Sequence, residues 1–485
     1  LSLSYLDDTA RHALHRAGSF LTGMMTPTLR LGVTGLSRAG KTVFITALIR
    51  NLVSGGRLPF FSPEAEGRIE RAYLEPQPDD AVPRFDYEAH IETLGQAPPD
   101  WPESTRRLSQ LRITIEYQSS SALRRAFGPS LLNIDVVDYP GEWLIDLPLL
   151  EQSYESWSAA AVAQVRSAPL APHAKPWLAF LDSVDANSRQ DEQVALKGAK
   201  LYAEYLKGAR AADHVLYTMG PGRFLLPGDL EGSPLLTFCP LELRPGRSLP
   251  RGSLAAMMAR RFESYKAHVV RPFFRDHFSR LDRQIVLVDV LGPLNSGGAA
   301  VADLQRALDG VLSAFRTGTS TWLTALVGRR IDKLLFAATK ADHVHSSSHD
   351  RLEAILRLIT ERAMGRAETT GAEVGVEALA ALRATREAEA KVGNELLPCI
   401  VGVPMPGERV GGKVFNGTEE AAVFPGDLPA NPKVALDPDA PSAGLHFVRF
   451  RPPRVLPPGP DGEAPALPHI RLDRALEFLL ADWLA

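Results

Sequence analysis

The chain has 485 residues, of which 45% are hydrophobic and 23% charged, and a formal net charge of -3. That balance excludes bulk electrostatic attraction to nucleic acid, and the length exceeds one ordinary core, so two or three domains are expected. The two cysteines, Cys239 and Cys399, exclude a disulfide scaffold and read as buried small hydrophobes in a reducing compartment.

Residues 1–29 read as a helix packed on the body, with Leu6, Ala10, Leu14, Ala17 and Leu21 near one face. Arg11, His12, His15 and Arg16 leave a membrane-surface helix as the alternative. No basic head leads into an apolar core, and no run of 18 apolar residues occurs, so a cytoplasmic protein is expected, with peripheral attachment at the inner membrane as a variant. A short apolar strand over 29–33, a glycine turn over 35–40 and a helix over 41–53 follow. Residues 55–105 read as a long excursion with short elements. Apolar runs at 111–117 and 131–137 predict an antiparallel pair at a sheet edge, the second strand continuing inward.

Helical periodicity appears at 153–165, 189–212 and 254–280, with an ordered Gly/Pro/Phe loop at 220–240. Strands at 284–290 and 333–338 then alternate with helices at 301–315 and 349–364. Residues 378–384 are a last strand or a helix, since alanine is a poor strand former. This alternation predicts an α/β fold with a mainly parallel sheet. Residues 30–143 and 283–395 form its two parts, and 144–282 a large, mostly helical insertion. Residues 396–485 are a Pro/Gly-rich extension ending in a helix.

Gly35-Leu36-Ser37-Arg38-Ala39-Gly40-Lys41-Thr42, followed by Val43, matches the phosphate-binding loop pattern between a strand and a helix. Gly35 and Gly40 allow dihedrals that side chains would block. The loop N–H groups, those of Ser37, Arg38 and Ala39 among them, then converge on phosphate oxygens in front of the helix N-terminus. Lys41 supplies a mobile positive charge and Thr42 a hydroxyl for Mg²⁺.

Asp138-Tyr139-Pro140-Gly141 follows the strand over 131–137. Asp138 stands where an open α/β sheet binds ligands, ready for Mg²⁺, and Gly141 can present its N–H to a γ-phosphate. Asp135 competes for the metal role but points to the opposite face. Thr339-Lys340-Ala341-Asp342 follows the strand over 333–338. The Asp342 carboxylate can accept from guanine N1–H and the 2-amino group, a donor pair that adenine lacks, while the Lys340 stem covers the base plane. Backbone N–H groups of Ala384-Thr385-Arg386 can reach the guanine oxygen. His343, His345 and His349 lack a supporting Cys/His set, so zinc is not expected.

Four such elements stand in the order of a P-loop GTPase, with a small-GTPase-like sheet. Over roughly residues 25–450 the chain resembles the bacterial YcjX-like GTPases. The resemblance is carried by Asp138-Tyr139-Pro140-Gly141-Glu142-Trp143-Leu144, Asp146-Leu147-Pro148, Pro221-Gly222-Arg223-Phe224 with Pro227-Gly228, Leu281-Asp282-Arg283-Gln284, and Phe336-Ala337-Ala338-Thr339-Lys340-Ala341-Asp342-His343. It implies binding of GTP and GDP with Mg²⁺, GTP hydrolysis, and a stress-related role. It assigns Gly35, Lys41 and Thr42 to phosphate and magnesium, Asp138 and Gly141 to the γ-phosphate, and Lys340 and Asp342 to the base; His343, adjacent to them, is a further nucleotide-site candidate. It also makes Thr105 a switch threonine closing over Mg²⁺.

Glu142 follows the Asp138–Gly141 motif where many small GTPases carry glutamine. Its carboxylate can accept from the attacking water but repels the γ-phosphate, so slow intrinsic hydrolysis with only a modest part for Glu142 is expected. Arg38 and Arg223 are the candidate transition-state cations. Trp143, Leu144 and residues 147–150 read both as core anchors and as a route from the γ-phosphate into the insertion. Tyr202, Tyr205, Phe262, Tyr265, Phe273, Phe274 and Phe278 read as its core. The insertion is the expected surface for a protein partner, and a membrane-associated partner fits the resemblance. A GTP-binding protein with negligible turnover and an ATPase of the same fold are the competing readings.

Overall fold

The computed structural model describes residues 26–36, 38–126, 128–166, 171–211, 220–243, 248–277, 280–313, 331–369, 371–392, 395–410, 412–437, 445–456 and 464–485. The expected N-terminal helix (through residue 25), Ser37 and Phe278 lie outside the described residues.

Alternation of apolar runs with helices yields one seven-stranded sheet. Its strands are β1 (Thr28–Gly35), β2 (Ile69–Leu74), β3 (Ser109–Tyr117), β4 (Ser130–Asp138), β5 (Arg283–Val288), β6 (Lys333–Ala338) and β7 (Glu373–Ala378). They lie in the order β2-β3-β4-β1-β5-β6-β7. β4, β1, β5, β6 and β7 run parallel, and β3 is antiparallel to both its neighbours. Central parallel strands are covered on both faces, which is why β5 is buried at every position and β6 reads as a continuous apolar run.

Register decides where a ligand can bind. Val33 pairs with Asp138, Gly35 with Leu287, Val288 with Ala338, and Ala338 with Ala378. The carboxyl ends of the five parallel strands are therefore level along one edge. The chain fills the sheet on one side of β1 with β2–β4 and on the other with β5–β7, which opens a crevice beside the end of β1.

Three sequence expectations need correction. The β3–β4 pair is antiparallel but not at the edge, because β2, hidden in the excursion, pairs outside β3. Its sequence IERAYL buries only Ala72, so no apolar run announced it. The last parallel strand is Glu373–Ala378, and residues 379–385 form no strand. Val374 and Val376 there suit a pleated surface better than the alanines that follow. The helix expected over 254–280 is Leu254–Tyr265, a π-helical turn Lys266–Val270, and Arg271–Asp276. Pro272 lacks the amide donor that a regular helix needs at that point. A helix at Ala171–Ser183 was not expected, since Pro176 lies inside it.

Two cores cover the two faces of the sheet. On one face, Phe44, Ile45, Leu48 and Ile49 of the helix Lys41–Ser54 pack with Leu29 and Leu31. Leu472, Leu476 and Leu479 of the C-terminal helix Leu472–Leu480 join this same core. Its Asp473 and Glu477 accept from the Phe60 and Ser62 amides at 3.1 and 2.8 Å. The last helix thus completes the α/β body.

On the other face, Val137, Val286 and Phe336 share a core with the helices between β4 and β5. Tyr202, Tyr205, Phe262, Tyr265, Phe273 and Phe274 are buried in it, as expected, with Trp157 stacked on Phe262 at 4.9 Å. Cys239 is buried there too, and Cys399 is buried in the second sheet; both are free thiols. That second sheet has three strands, β8 (Arg386–Val392), β9 (Glu395–Gly402) and β10 (Ala421–Val423), with β9 central. A segment boundary after residue 395 therefore falls at the start of β9. Ile400 and Val423 pack there with Val448 and Phe450.

Candidate functional site

The turn after β1 wraps the start of the helix Lys41–Ser54. Gly40 caps that helix at φ 85°, a left-handed conformation that a side chain would resist. Arg38 adopts φ 65°, which for a non-glycine residue stores strain and points to a local function. Lys41 is 7% exposed, and its Nζ donates to the Gly35 carbonyl at 3.0 Å. Burial pulls the ammonium below its usual value, against the attraction of Asp138 and Glu142.

Three oxygens of different segments meet beside Lys41. The Thr42 and Thr105 hydroxyls are 3.2 Å apart, and Thr105 Oγ1 donates to Asp138 Oδ2 at 2.5 Å. Asp138 Oδ1 is buried with no hydrogen-bond partner. Burial pushes the Asp138 carboxyl up to about 6, against the pull of Lys41 and Thr105. Asp135 faces away, held by Arg112 at 2.6 and 2.8 Å. Alternation along β4 separates these two carboxylates, as their spacing implied.

At the far end, Lys340 also stands at positive φ, 63°. Its Nζ donates to Asp289 Oδ2 at 2.5 Å, just beyond β5. Burial opposes the Asp289 charge, but Lys340 and the Gly292 N–H outweigh it and lower the carboxyl. Asp342 Oδ2 accepts from the Ala384 N–H at 2.8 Å, and Asp342 carbonyl oxygen from Thr385 Oγ1 at 2.5 Å. His343 is buried with its ring edge-on to Phe450 at 5.5 Å, and burial keeps it neutral. His349 contacts the Ala341 carbonyl and His345 contacts Ser347. Among the described residues, no group of three or more His, Cys, Asp or Glu is placed to hold a metal.

One cavity of about 330 Å³ joins the two ends. Arg38, Ala39, Gly40, Lys41, Thr42, Val43, Thr105 and Glu142 line it at one end, and Lys340, Asp342 and His343 at the other. Gly35, Asp138 and Gly141 lie behind this wall: Gly35 through its bond to Lys41, Asp138 through Thr105, and Gly141 at the buried start of the turn carrying Glu142. Ala384, Thr385 and Arg386 do not line it. Ala384 and Thr385 instead brace Asp342, and Arg386 pairs with Glu420 at 2.8 Å. The wall expected from them is made by Leu379, Ala380, Ala381 and Leu382. These follow β7 directly, so placing that strand too late displaced the wall as well.

Phe44, Pro102, Ser104 and Thr339 also line it, as do Trp101, Met405, Arg449 and Phe450, the last three with no sequence signal. Three of them belong to the C-terminal extension, which reaches the cavity only by folding back. The Trp101 indole N–H donates to the Phe450 carbonyl at 2.7 Å, and Arg451 reaches the Pro99 carbonyl at 3.1 Å. The extension thereby anchors the segment leading to Thr105.

The chain after β4 is gripped by the 220–229 loop. A Cβ on Gly222 would lie 1.7 Å from the Glu142 carbonyl oxygen, so only glycine fits. Arg223 stacks on Trp143 at 3.2 Å and bonds Asp229 at 3.0 Å, which places it away from the cavity. Asp146, fully buried, accepts from Gly222 N at 2.7 Å and Tyr265 Oη at 2.5 Å. Burial pushes its carboxyl from an ordinary 3.8 up to about 6, against those two bonds and Arg223. Between about pH 4 and 6 the folded chain therefore holds a proton that the unfolded chain has released. Stability falls as pH rises through that window, and the penalty is complete above about 6. Denaturant unfolding from pH 4 to 7 should show wild type losing roughly 3 kcal/mol relative to Asp146→Asn. Parallel pH curves would remove Asp146 as the cause.

A family model described as "YcjX-like family, DUF463" matches residues 29–484. A protein of Escherichia coli named "Ras-like GTPase YcjX" is 38% identical over 465 residues, covering 94% of this chain and 95% of its own length. A protein of the same name from Shewanella oneidensis is 32% identical over 501 residues, covering 99% of both. The α/β P-loop core, its helical insertion and the returning C-terminal helix accord with these matches. On the reach of the family model and the identity to both relatives, the chain belongs to the YcjX-like family.

Proposed function

We propose that this chain binds GTP with Mg²⁺ and hydrolyses it to GDP and inorganic phosphate, the bound nucleotide setting the conformation of the segments around Thr105 and Glu142. The observation that carries this reading is the single cavity with Lys41, Thr42 and Thr105 at one end and Lys340 and Asp342 at the other. Residues suited to phosphate and residues suited to guanine thereby line one cavity. Both relatives are named as Ras-like GTPases.

In hydrolysis, water attacks the γ-phosphorus, the bond to the β–γ bridging oxygen breaks, and the water's proton ends on the phosphate. Lys41 sets its ammonium against the developing charge. The loop N–H groups and the helix start hold the phosphates in line. Thr42, Thr105 and Asp138 fit Mg²⁺, because two hydroxyls and a carboxylate with one unpartnered buried oxygen are hard donors that leave room for phosphate and water. The ion, when bound, supplies neutralisation of phosphate charge. Asp342, braced by Ala384, accepts the guanine donors, and the Lys340 stem covers the ring.

Binding without turnover is the second reading, favoured by one contact: Glu142 is paired with Arg210 at 3.5 Å. Phosphate release under single turnover, with GTP and ATP competing against a fluorescent GDP analogue, tests both. GTP hydrolysis with ATP failing to compete is expected. Equal affinity for the two bases would sink the guanine assignment, and tight GTP binding with no phosphate release would favour the second reading. The division into two GTPase parts, insertion and extension, the stress-related setting, and protein or membrane-protein partners at the insertion belong to the same proposal. Among the described residues, no helix is long and apolar enough to cross a membrane.

A further inference from the structure

Glu142 sits on the cavity wall, in the short turn Gly141–Leu144 that continues from β4. Its side chain is 11% exposed. A carboxylate on that wall stands beside the place that the proposed function gives the γ-phosphate. Two anions so close in a poorly hydrated site repel strongly unless a cation intervenes.

The helical insertion supplies that cation. Arg210 occupies the last turn of the helix Glu192–Ala211 and brings Nη2 to 3.5 Å from Glu142 Oε1, with its own side chain 16% exposed. Its charge also reaches Lys41, where it opposes the attraction exerted by Glu142. The surrounding backbone cannot drift. Gly222 is pressed against the Glu142 carbonyl, and Asp146, four residues on, holds the Gly222 amide and the Tyr265 hydroxyl. Glu142 therefore sits on a clamped segment, and Arg210 on a helix whose Leu206 and Ala209 are buried in the core, unlike a flexible surface pair.

We propose that Arg210 is a positioning residue of the γ-phosphate site: it neutralises Glu142 and holds its carboxylate so that a γ-phosphate is accepted beside it. This rests on the GTP reading above and assigns the insertion a direct part in it. GDP has no γ-phosphate, so the effect is selective for the triphosphate.

The test uses the full chain as wild type, Arg210→Ala, Arg210→Lys, Glu142→Gln and the Arg210→Ala/Glu142→Gln double variant. Affinities for GDP and a non-hydrolysable GTP analogue are measured for each. Arg210→Ala should lower the analogue-to-GDP affinity ratio about tenfold. The double variant should restore the ratio to within about twofold of Glu142→Gln alone, and Arg210→Lys should keep most of it. Retained GDP affinity shows that each variant is folded. An unchanged ratio in Arg210→Ala overturns the proposal. So does a loss that persists in the Glu142→Gln background, because Arg210 would then act on the phosphate itself. A wild-type chain that binds neither nucleotide would instead remove the GTP reading underneath.

Discussion

Lys41→Ala should weaken binding of both GDP and GTP by about 100-fold, or roughly 3 kcal/mol. The ammonium is buried, tethered to the Gly35 carbonyl, and disfavoured by its own burial. A phosphate chain adds negative charge beside the ammonium, beyond that of Asp138 and Glu142. The lost interaction is therefore concentrated in the complex. The fold itself should lose much less, since the Asp138 carboxyl, at about 6, can take up a proton when its cation is removed. Titration with a fluorescent GDP analogue, beside thermal unfolding without nucleotide, separates the two effects. Unchanged affinity in a folded variant would move the phosphate site elsewhere.

Asp342→Asn should lower affinity for GTP on the order of 100-fold and raise it for xanthosine triphosphate. The carboxylate is 4% exposed and its plane is set by the Ala384 N–H on Oδ2. Asparagine puts an N–H₂ group where guanine presents its own 2-amino donor, leaving two donors face to face in a buried site. Xanthine carries an oxygen there, so the same N–H₂ group finds an acceptor. Competition among GTP, XTP and ATP for one labelled nucleotide reads this directly. A variant that kept its guanine preference would place base reading on the backbone of residues 379–382 instead.

These two positions lie 301 residues apart in the chain, counting from Lys41 to Asp342, yet both were legible in the sequence. Each sits in a short local pattern at the end of an apolar strand. Parallel strands in register bring their carboxyl ends to one edge, so local patterns add up to one site. Arg210 and Phe450 carried no comparable signal. An arginine in the last turn of an amphipathic helix and a phenylalanine in a proline-rich stretch look the same whether they face water or a ligand. Their roles depend on contacts across 68 and 107 residues respectively, from Glu142 to Arg210 and from His343 to Phe450.

The chemistry of the pocket ends is readable from short local patterns: the glycine-shaped loop with Lys41 and Thr42, the strand-end Asp138, and the loop with Lys340 and Asp342. Glycine dihedrals, charge and strand periodicity act over a few residues, and a few residues suffice to read them. What closes the pocket between those ends was legible only in the folded chain, because packing is set by whichever distant surfaces bury the most apolar area together. Packing folded the C-terminal extension back to Trp101, put residues 379–382 on the wall, hid β2 at the sheet edge, and set an arginine of the insertion against Glu142.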